Sequence, residues 1–251
     1  MEPEVVLDRY HLTPRERRRL QAVVGQRGMA TNCSLYRVNR ITPIYTLLPY
    51  TCFVLGDDLA REAELFWDSF ADTDLQFQKE VGCFAAFLHE RVRTKQLTNP
   101  FLMEVLGFEL AVNELKYLPR RQIAEELCRR EHSNPSGPLQ LHPLIRIVPF
   151  RHEPAQMLHA LAQMVLPSFD FPTNDYFLLL DAAGEELDVK RIDPSVGRVL
   201  QAIVSGADHN LAPDDADALV QSGLLVRGPL RLAGEHAQDK VGIRDARDRT
   251  H

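Results

Sequence analysis

An α+β chain is what the sequence predicts, on three observations. Apolar residues recur at helical spacing through most of the first 130 positions. The composition then breaks into EHSNPSGPLQ at 131–140, with two prolines and a glycine that resist helix. Beyond it, the stretch YFLLLDAAGEELDVKRIDPSVGRVLQAIVSGADHNLAPDDADALVQSGLLV at 176–226 reads as strand, turn, strand, helix, helix and a closing apolar run. The expected organisation is an all-helical N-terminal domain (1–130), a linker (131–140), a winged helix-turn-helix-like C-terminal domain (141–228) and a polar, flexible tail (229–251).

The first helix is announced by Thr13-Pro14-Arg15-Glu16, a capping box in which the Thr13 hydroxyl accepts from the Glu16 backbone N–H and the Glu16 carboxylate reaches back. It runs to about Val24 and carries Arg15, Arg17, Arg18 and Arg19, a basic cluster that reads first as a solvated face, next as a dock for an acidic partner and last as a DNA contact. Gly28 to Arg40 predicts a second helix. Thr42-Pro43 is expected to restart the chain into Ile44–Leu55, with a kink near Leu48 imposed by Pro49. Asp58–Phe70 places Leu59, Ala63, Phe66, Trp67 and Phe70 on one face, and Leu75–Val92 does the same with Phe77, Val81, Phe84, Ala85 and Leu88. Asn99-Pro100 caps a helix over Phe101–Leu118, and Pro119–Glu131 supplies the last of the series.

In the C-terminal part, Leu141–Phe150 alternates as a strand. Pro154–Val165 is helical with Met157, Leu158, Leu161, Met164 and Val165 inward, and Pro167–Asp175 is a loop. Strands over Tyr176–Leu180 and Leu187–Ile192 flank a turn at Asp181–Gly184. Asp193 caps the next helix, Pro194 opens it and Gly206 ends it. Its apolar stripe is Val196, Val199, Leu200, Ile203 and Val204.

A hairpin followed by short helices serves either DNA, with a helix in the major groove, or an extended peptide added to the sheet edge. Charge separates the two. From Leu141 to Gly228 there are six Lys or Arg and twelve Asp or Glu, which matches the whole net charge of -6. No Lys or Arg lies between Arg198 and Arg227, and the helix that would read DNA begins with Asp214, Asp215 and Asp217. Phosphate would be repelled there, so the peptide alternative is favoured and a DNA-binding transcriptional regulator ranks second. A peptide paired with the edge formed by Leu187, Asp188, Val189, Lys190, Arg191 and Ile192 would meet the helix of about Pro213–Ser222. Ala216, Leu219 and Val220 would supply an apolar floor, and Asp214, Asp215 and Asp217 would favour basic ligand residues. Core packing is the competing role for Leu219 and Val220.

The run FLLLDAAGEELDVKRIDPSVGRVLQAIVSG with DADALVQSGLLV resembles the winged-helix recognition element that holds the leader of a ribosomally made precursor peptide. YRVNR, LPYTCFVLGDDLAREAELFW, GCFAAFL and NPFLMEVLGFELAVNEL are similar to the helical partner proteins of TIM-barrel multinuclear non-heme iron oxidases. Within that family the likeness is to partners of enzymes that excise the β-carbon of a peptide's cysteine on the way to thiaglutamate. The resemblance implies a cytoplasmic subunit in a heteromer with the barrel enzyme. It would have no catalytic residue and no cofactor of its own, would bind a precursor or carrier peptide, and would leave the iron to the partner.

Other classes are weighed on composition and motif. At 251 residues, 45% apolar and 25% charged, the chain is long enough for one large or two ordinary domains. No apolar run spans a bilayer, and the start MEPEVVLDRY is acidic where a signal peptide would be basic, so no membrane role is expected. Cys33, Cys52, Cys83 and Cys128 are widely spaced and read as reduced, mostly buried thiols. The nine histidines are scattered and read as surface or capping residues; His152-Glu153 with His159 lacks the i+4 partner of a metal-binding HExxH helix. Asp68, Asp72 and Asp74 read as helix-start carboxylates. No nucleophile elbow and no phosphate-cradling glycine loop occurs. An enzyme assembled from distant residues, such as a helical metalloprotein, stays open as a third class.

Overall fold

The computed structural model describes residues 11–24, 27–70, 76–130, 137–167, 170–207 and 211–228. The expected tail at 229–251, positions 131–136 of the expected linker, Asp72 and Asp74 lie outside these residues, as does the Cys33 side chain. The fold is α+β, with helices N-terminal and short strands C-terminal. In chain order, the elements of the described residues are α1 (Pro14–Val24), α2 (Arg27–Leu47), α3 (Pro49–Leu55), α4 (Asp58–Ser69), α5 (Phe77–Arg93), α6 (Leu102–Lys116), α7 (Arg120–Arg130), β1 (Leu139–Leu141), β2 (Ile145–His152), α8 (Pro154–Ala162), β3 (Thr173–Asp181), β4 (Asp188–Ile192), α9 (Pro194–Ser205), α10 (Pro213–Gln221) and β5 (Leu225–Arg227). The chain divides into two compact units: 1–117 with 148–178, and 118–147 with 179–251. Helix α7 groups with the second unit, and β2 and β3 each pass from one unit to the other.

In the first unit, the capping box of α1 is formed: Thr13 N donates to Glu16 Oε2 at 2.8 Å and Glu16 N to Thr13 Oγ1 at 3.3 Å. The expected restart at Pro43 does not occur, and α2 runs through it to Leu47. Burial overrides the proline, because Arg40, Ile44, Leu47 and Leu48 line one buried face that packs on α5 and α6. The break falls at Leu48, ahead of Pro49, as expected. Helix α6 secures that break from both sides. Asn113 Nδ2 donates to Leu47 O at 2.5 Å, and Glu109 accepts from Tyr50 N at 2.7 Å and Thr51 N at 2.8 Å, satisfying the first N–H groups of α3.

The core of this unit is aromatic. Phe66 meets Phe84 edge-on at 5.2 Å and lies 5.7 Å from Phe87. Phe77 departs from its expected inward place and is exposed; it occupies the first turn of α5, ahead of the buried residues of that helix. At the end of α8, Met164 and Val165 are exposed although the helical period points them inward. The helix stops at Ala162 and Met164 turns to φ 54, so the period no longer applies.

In the second unit, β1 and β5 pair antiparallel, with Leu139 opposite Arg227 and Leu141 opposite Leu225. Gly137 permits the pairing to close, since a Cβ there would stand 2.6 Å from Gly228 N. The other sheet orders β2-β3-β4. Its first two strands run antiparallel, bracketed by Glu153 N to Pro172 O at 3.1 Å and Ala182 N to Leu144 O at 2.9 Å. Central β3 buries Phe177, Leu178, Leu179 and Leu180 in succession, as a strand covered on both faces must. It starts at Thr173, inside the expected loop.

Candidate functional site

Strand β4 is terminal in its sheet, and its side chains are exposed from Asp188 through Val189, Lys190 and Arg191, with Ile192 half-buried. A terminal strand presents one side of its backbone for further pairing. The hairpin before it is set by Asp181, whose Oδ1 accepts from Ala183 N at 2.9 Å, and Leu187 lies half-buried at the approach to the strand. Lys190 Nζ stands 3.7 Å from Asp188 Oδ2, as expected for side chains two apart on one face. Val189 points with the alternate set and is 40% exposed, an apolar side chain open to solvent between two charged ones.

Strand β4 leads directly into α9 through the Asp193 cap, whose Oδ1 accepts from Ser195 N at 2.8 Å. The Ser195 hydroxyl and backbone N–H hold the Asp193 carboxyl below its ordinary value. Gly206 closes the helix in the left-handed conformation, φ 66. The apolar stripe of α9 is only partly covered. Leu200 is buried, Val196, Val199 and Ile203 are half-buried, and Val204 is exposed.

Helix α10 carries Asp214 and Asp215 in its first turn, both exposed, where they complement the positive end of the helix. Ala216 is buried, and Leu219 and Val220 are half-buried. Asp217 is engaged, its Oδ1 accepting from Arg227 Nη2 at 2.8 Å. The chief packing partner of α10 is β5, and that of α9 is β1. The strand set, 187–192, and the helix set, 214–220, are therefore two separate groups with no extensive packing between β4 and α10. Asp217 is tied to β5 through Arg227, a pairing across ten residues that no spacing rule foretells.

The histidines and cysteines depart from expectation. His142 and His152 are buried where surface roles are expected. His142 Nδ1 accepts from Leu144 N at 3.1 Å in the second unit. In the first, His152 Nδ1 lies 2.8 Å from Glu104 Oε1, with Phe101 edge-on at 4.6 Å. At each ring Nδ1 is engaged, by a backbone N–H at His142 and by a carboxylate at His152. Cys52 is buried and pushed up to about 12 by desolvation and by Glu109, Cys83 is half-buried and Cys128 exposed, so burial is not the rule for the described thiols.

No protein-family model matches the sequence, and no curated protein matches it at a significant level.

Proposed function

We propose that this chain is a peptide-presenting subunit without a catalytic site. Its second unit, a winged-helix recognition element in this reading, takes an extended precursor or carrier peptide as an added strand along β4. Its first unit docks to a TIM-barrel iron oxidase that excises the β-carbon of a cysteine in that peptide. The observation that carries the reading is the terminal, exposed strand β4, with Val189 uncovered between Asp188 and Lys190. Backbone pairing on such an edge gives affinity, and alternate side chains give selectivity.

The charge balance supports a peptide over DNA, since α10 opens with exposed aspartates where a phosphate backbone would need cations. The resemblance of the helical segments supplies the partner and the reaction. Iron, held by that partner, would supply the oxidative chemistry. Among the described residues of this chain, no group of three or more His, Cys, Asp or Glu side chains is placed to hold an ion. In this reading the work of this chain is positional: tethering the leader raises the effective concentration of the reactive end at the barrel mouth. The same described residues contain no helix long and apolar enough to cross a membrane.

The test is co-expression of the tagged chain with its native genomic neighbours, mass spectrometry of what stays bound, and an iron assay of the eluate and of the chain alone. A barrel-sized, iron-bearing protein and a short peptide should co-elute, and the isolated chain should be free of metal. Emergence of the chain alone, or with its own metal, overturns the reading. For the strand pairing itself, the co-purified peptide is resynthesised with N-methyl groups at alternate residues in two phases. One phase should lose at least tenfold in affinity and the other little; equal affinity for both removes β4 pairing.

A further inference from the structure

Strand β4 is terminal among the described strands of its sheet, and in one antiparallel register it is its own complement. Two copies related by a two-fold axis normal to the sheet keep every side chain on its own face. One residue then lies opposite its own copy, and its neighbours pair symmetrically about it. Centred on Val189, this pairing sets Asp188 opposite Lys190 of the second copy and Lys190 opposite Asp188, while the two Val189 side chains meet on the other face. Centred on Asp188, Lys190 or Arg191, it brings two like charges together. Centred on Ile192, it runs off the strand at Asp193, whose carboxylate caps α9. Charge therefore selects a single register.

The side chains that this register joins stand open. Asp188 and Lys190 are 63% and 54% exposed, and their contact along the strand is a long one, 3.7 Å. A residue directly opposite on a neighbouring strand has its Cβ about 4.5–5.5 Å away, against roughly 7 Å for residues two apart on one strand. Each charge is thus better matched across the pair than within its own strand. A lysine on a sheet edge ordinarily deters another copy, but here each lysine meets an aspartate. Val189, open to solvent in the single chain, is covered by its own copy at the centre. We infer that a second copy of this chain pairs antiparallel along β4 about Val189, joining two three-stranded sheets edge to edge. A strand of five residues buries less than the roughly 800 Å² a side of a permanent dimer, so the pair forms and parts with concentration. The net charge of -6 on each chain opposes approach, but salt screens charges farther apart than roughly 8 Å and leaves the directly opposed pairs inside that range. The pairing stands on the strand alone. Its consequence rests on the reading above: a second copy and a peptide exclude each other from one edge, which stays covered until a peptide takes it.

The test is sedimentation equilibrium of the full chain over a concentration series, for the wild type, Asp188→Lys, Lys190→Asp and the double exchange. The wild type should pass from monomer to dimer as concentration rises. By symmetry each single reversal turns two attractive pairs repulsive, and should weaken the dimer about tenfold or more. The double exchange restores unlike pairs and should recover the wild-type constant within about threefold. An equimolar mixture of the two single variants should recover it as well, because each presents the charges the other lacks; this result also shows that both variants are folded. A wild type that stays monomeric up to about 1 mM overturns the inference. So does a dimer that neither reversal weakens, or one that neither the double exchange nor the mixture restores. A dimer that passes these tests but is not dissociated by the co-purified peptide leaves the pairing in place and defeats peptide addition along β4.

Discussion

Both units carry solvated ion pairs, but among the described residues only the first also pairs Arg and Glu side chains in its core. In the first, Arg40 pairs with Glu80 at 2.6 Å, both side chains almost wholly enclosed, and the Arg40 guanidinium lies 5.1 Å over the Phe66 ring. Glu62, fully buried, takes Arg91 at 2.6 Å and Arg61 at 3.0 Å. Burial alone would raise Glu62; the two guanidiniums outweigh it and hold the carboxyl below its ordinary value. In the second unit the described ion pairs, Lys190–Asp188, Arg227–Asp217 and Arg121–Glu125, each have at least one half-exposed partner. Breaking a buried pair by removing one partner leaves an uncompensated buried charge and is costly. Surface pairs constrain little, and the β4 side chains Asp188 and Lys190 stay exposed.

The largest expected effect breaks the buried side of this contrast. Glu80→Ala leaves Arg40 charged and enclosed, and should cost about 3–5 kcal/mol in urea or thermal unfolding. The double replacement Arg40→Met with Glu80→Leu should recover most of that loss. A single variant that costs under about 1 kcal/mol would mean that Arg40 reaches solvent and that the two units do not differ as described.

Next comes pH. Glu109 is raised from 4.5 to about 7, chiefly by burial against the opposing pull of Thr51 and Tyr50. A carboxyl raised on folding contributes stability that is full below the unfolded value of 4.5 and is lost as pH rises through about 7. At about 1.4 kcal/mol per unit the ceiling is about 3 kcal/mol. Glu62 acts in the opposite sense, in a lower window: its stabilisation is present above 4.5 and lost as pH falls below it. Unfolding measured from pH 4.5 to 8 should show a decline that Glu109→Gln abolishes. A slope unchanged in that variant assigns the decline elsewhere.

A smaller effect isolates backbone conformation in the second unit. A Cβ on Gly206 would meet nothing within 4 Å, so Gly206→Ala tests the left-handed φ of 66 alone. It should cost about 1 kcal/mol, read as a lower unfolding midpoint at constant slope. No loss would mean that the end of α9 relaxes freely.

Local chemistry carried the legible part of the fold. The capping box at Thr13 and the Asp193-Pro194 start with its Gly206 stop are complete within a few residues, and each forms as written. Pro43 misleads because the decision to continue α2 lies with Ile44, Leu47 and their distant contacts on α5 and α6. Met164 and Val165 mislead because the helical period, expected to Val165, outruns the helix, which ends at Ala162. The buried carboxylates were invisible for the same reason: the partner of Glu104 is 48 positions away and that of Arg40 is 40 away, beyond any spacing rule. At the candidate site, the alternation of β4 and the acid-rich start of α10 could be read directly. That α10 packs on β5 and holds Arg227 is settled by tertiary packing.

That last contact gives the smallest prediction and the sharpest view of the solvated side. Asp217 is 60% exposed at its side chain and Arg227 23%, so their 2.8 Å bridge is mostly solvated. Such a pair contributes about 0–1 kcal/mol and weakens with salt. Asp217→Asn should therefore lower stability by at most about 0.5 kcal/mol at low ionic strength and by nothing measurable in 1 M salt. The same bridge divides the three aspartates of α10 in their expected action on a basic ligand. Asp217 is largely compensated by Arg227, so the field at the start of the helix is set by Asp214 and Asp215. Reversing Asp215 to Lys should weaken the co-purified peptide several-fold at low salt, and adding the reversal of Asp217 should weaken it less than the first change did. Equal, additive losses would show that Arg227 leaves Asp217 when the peptide binds, and an unchanged affinity would remove electrostatics from recognition and leave it to the backbone of β4.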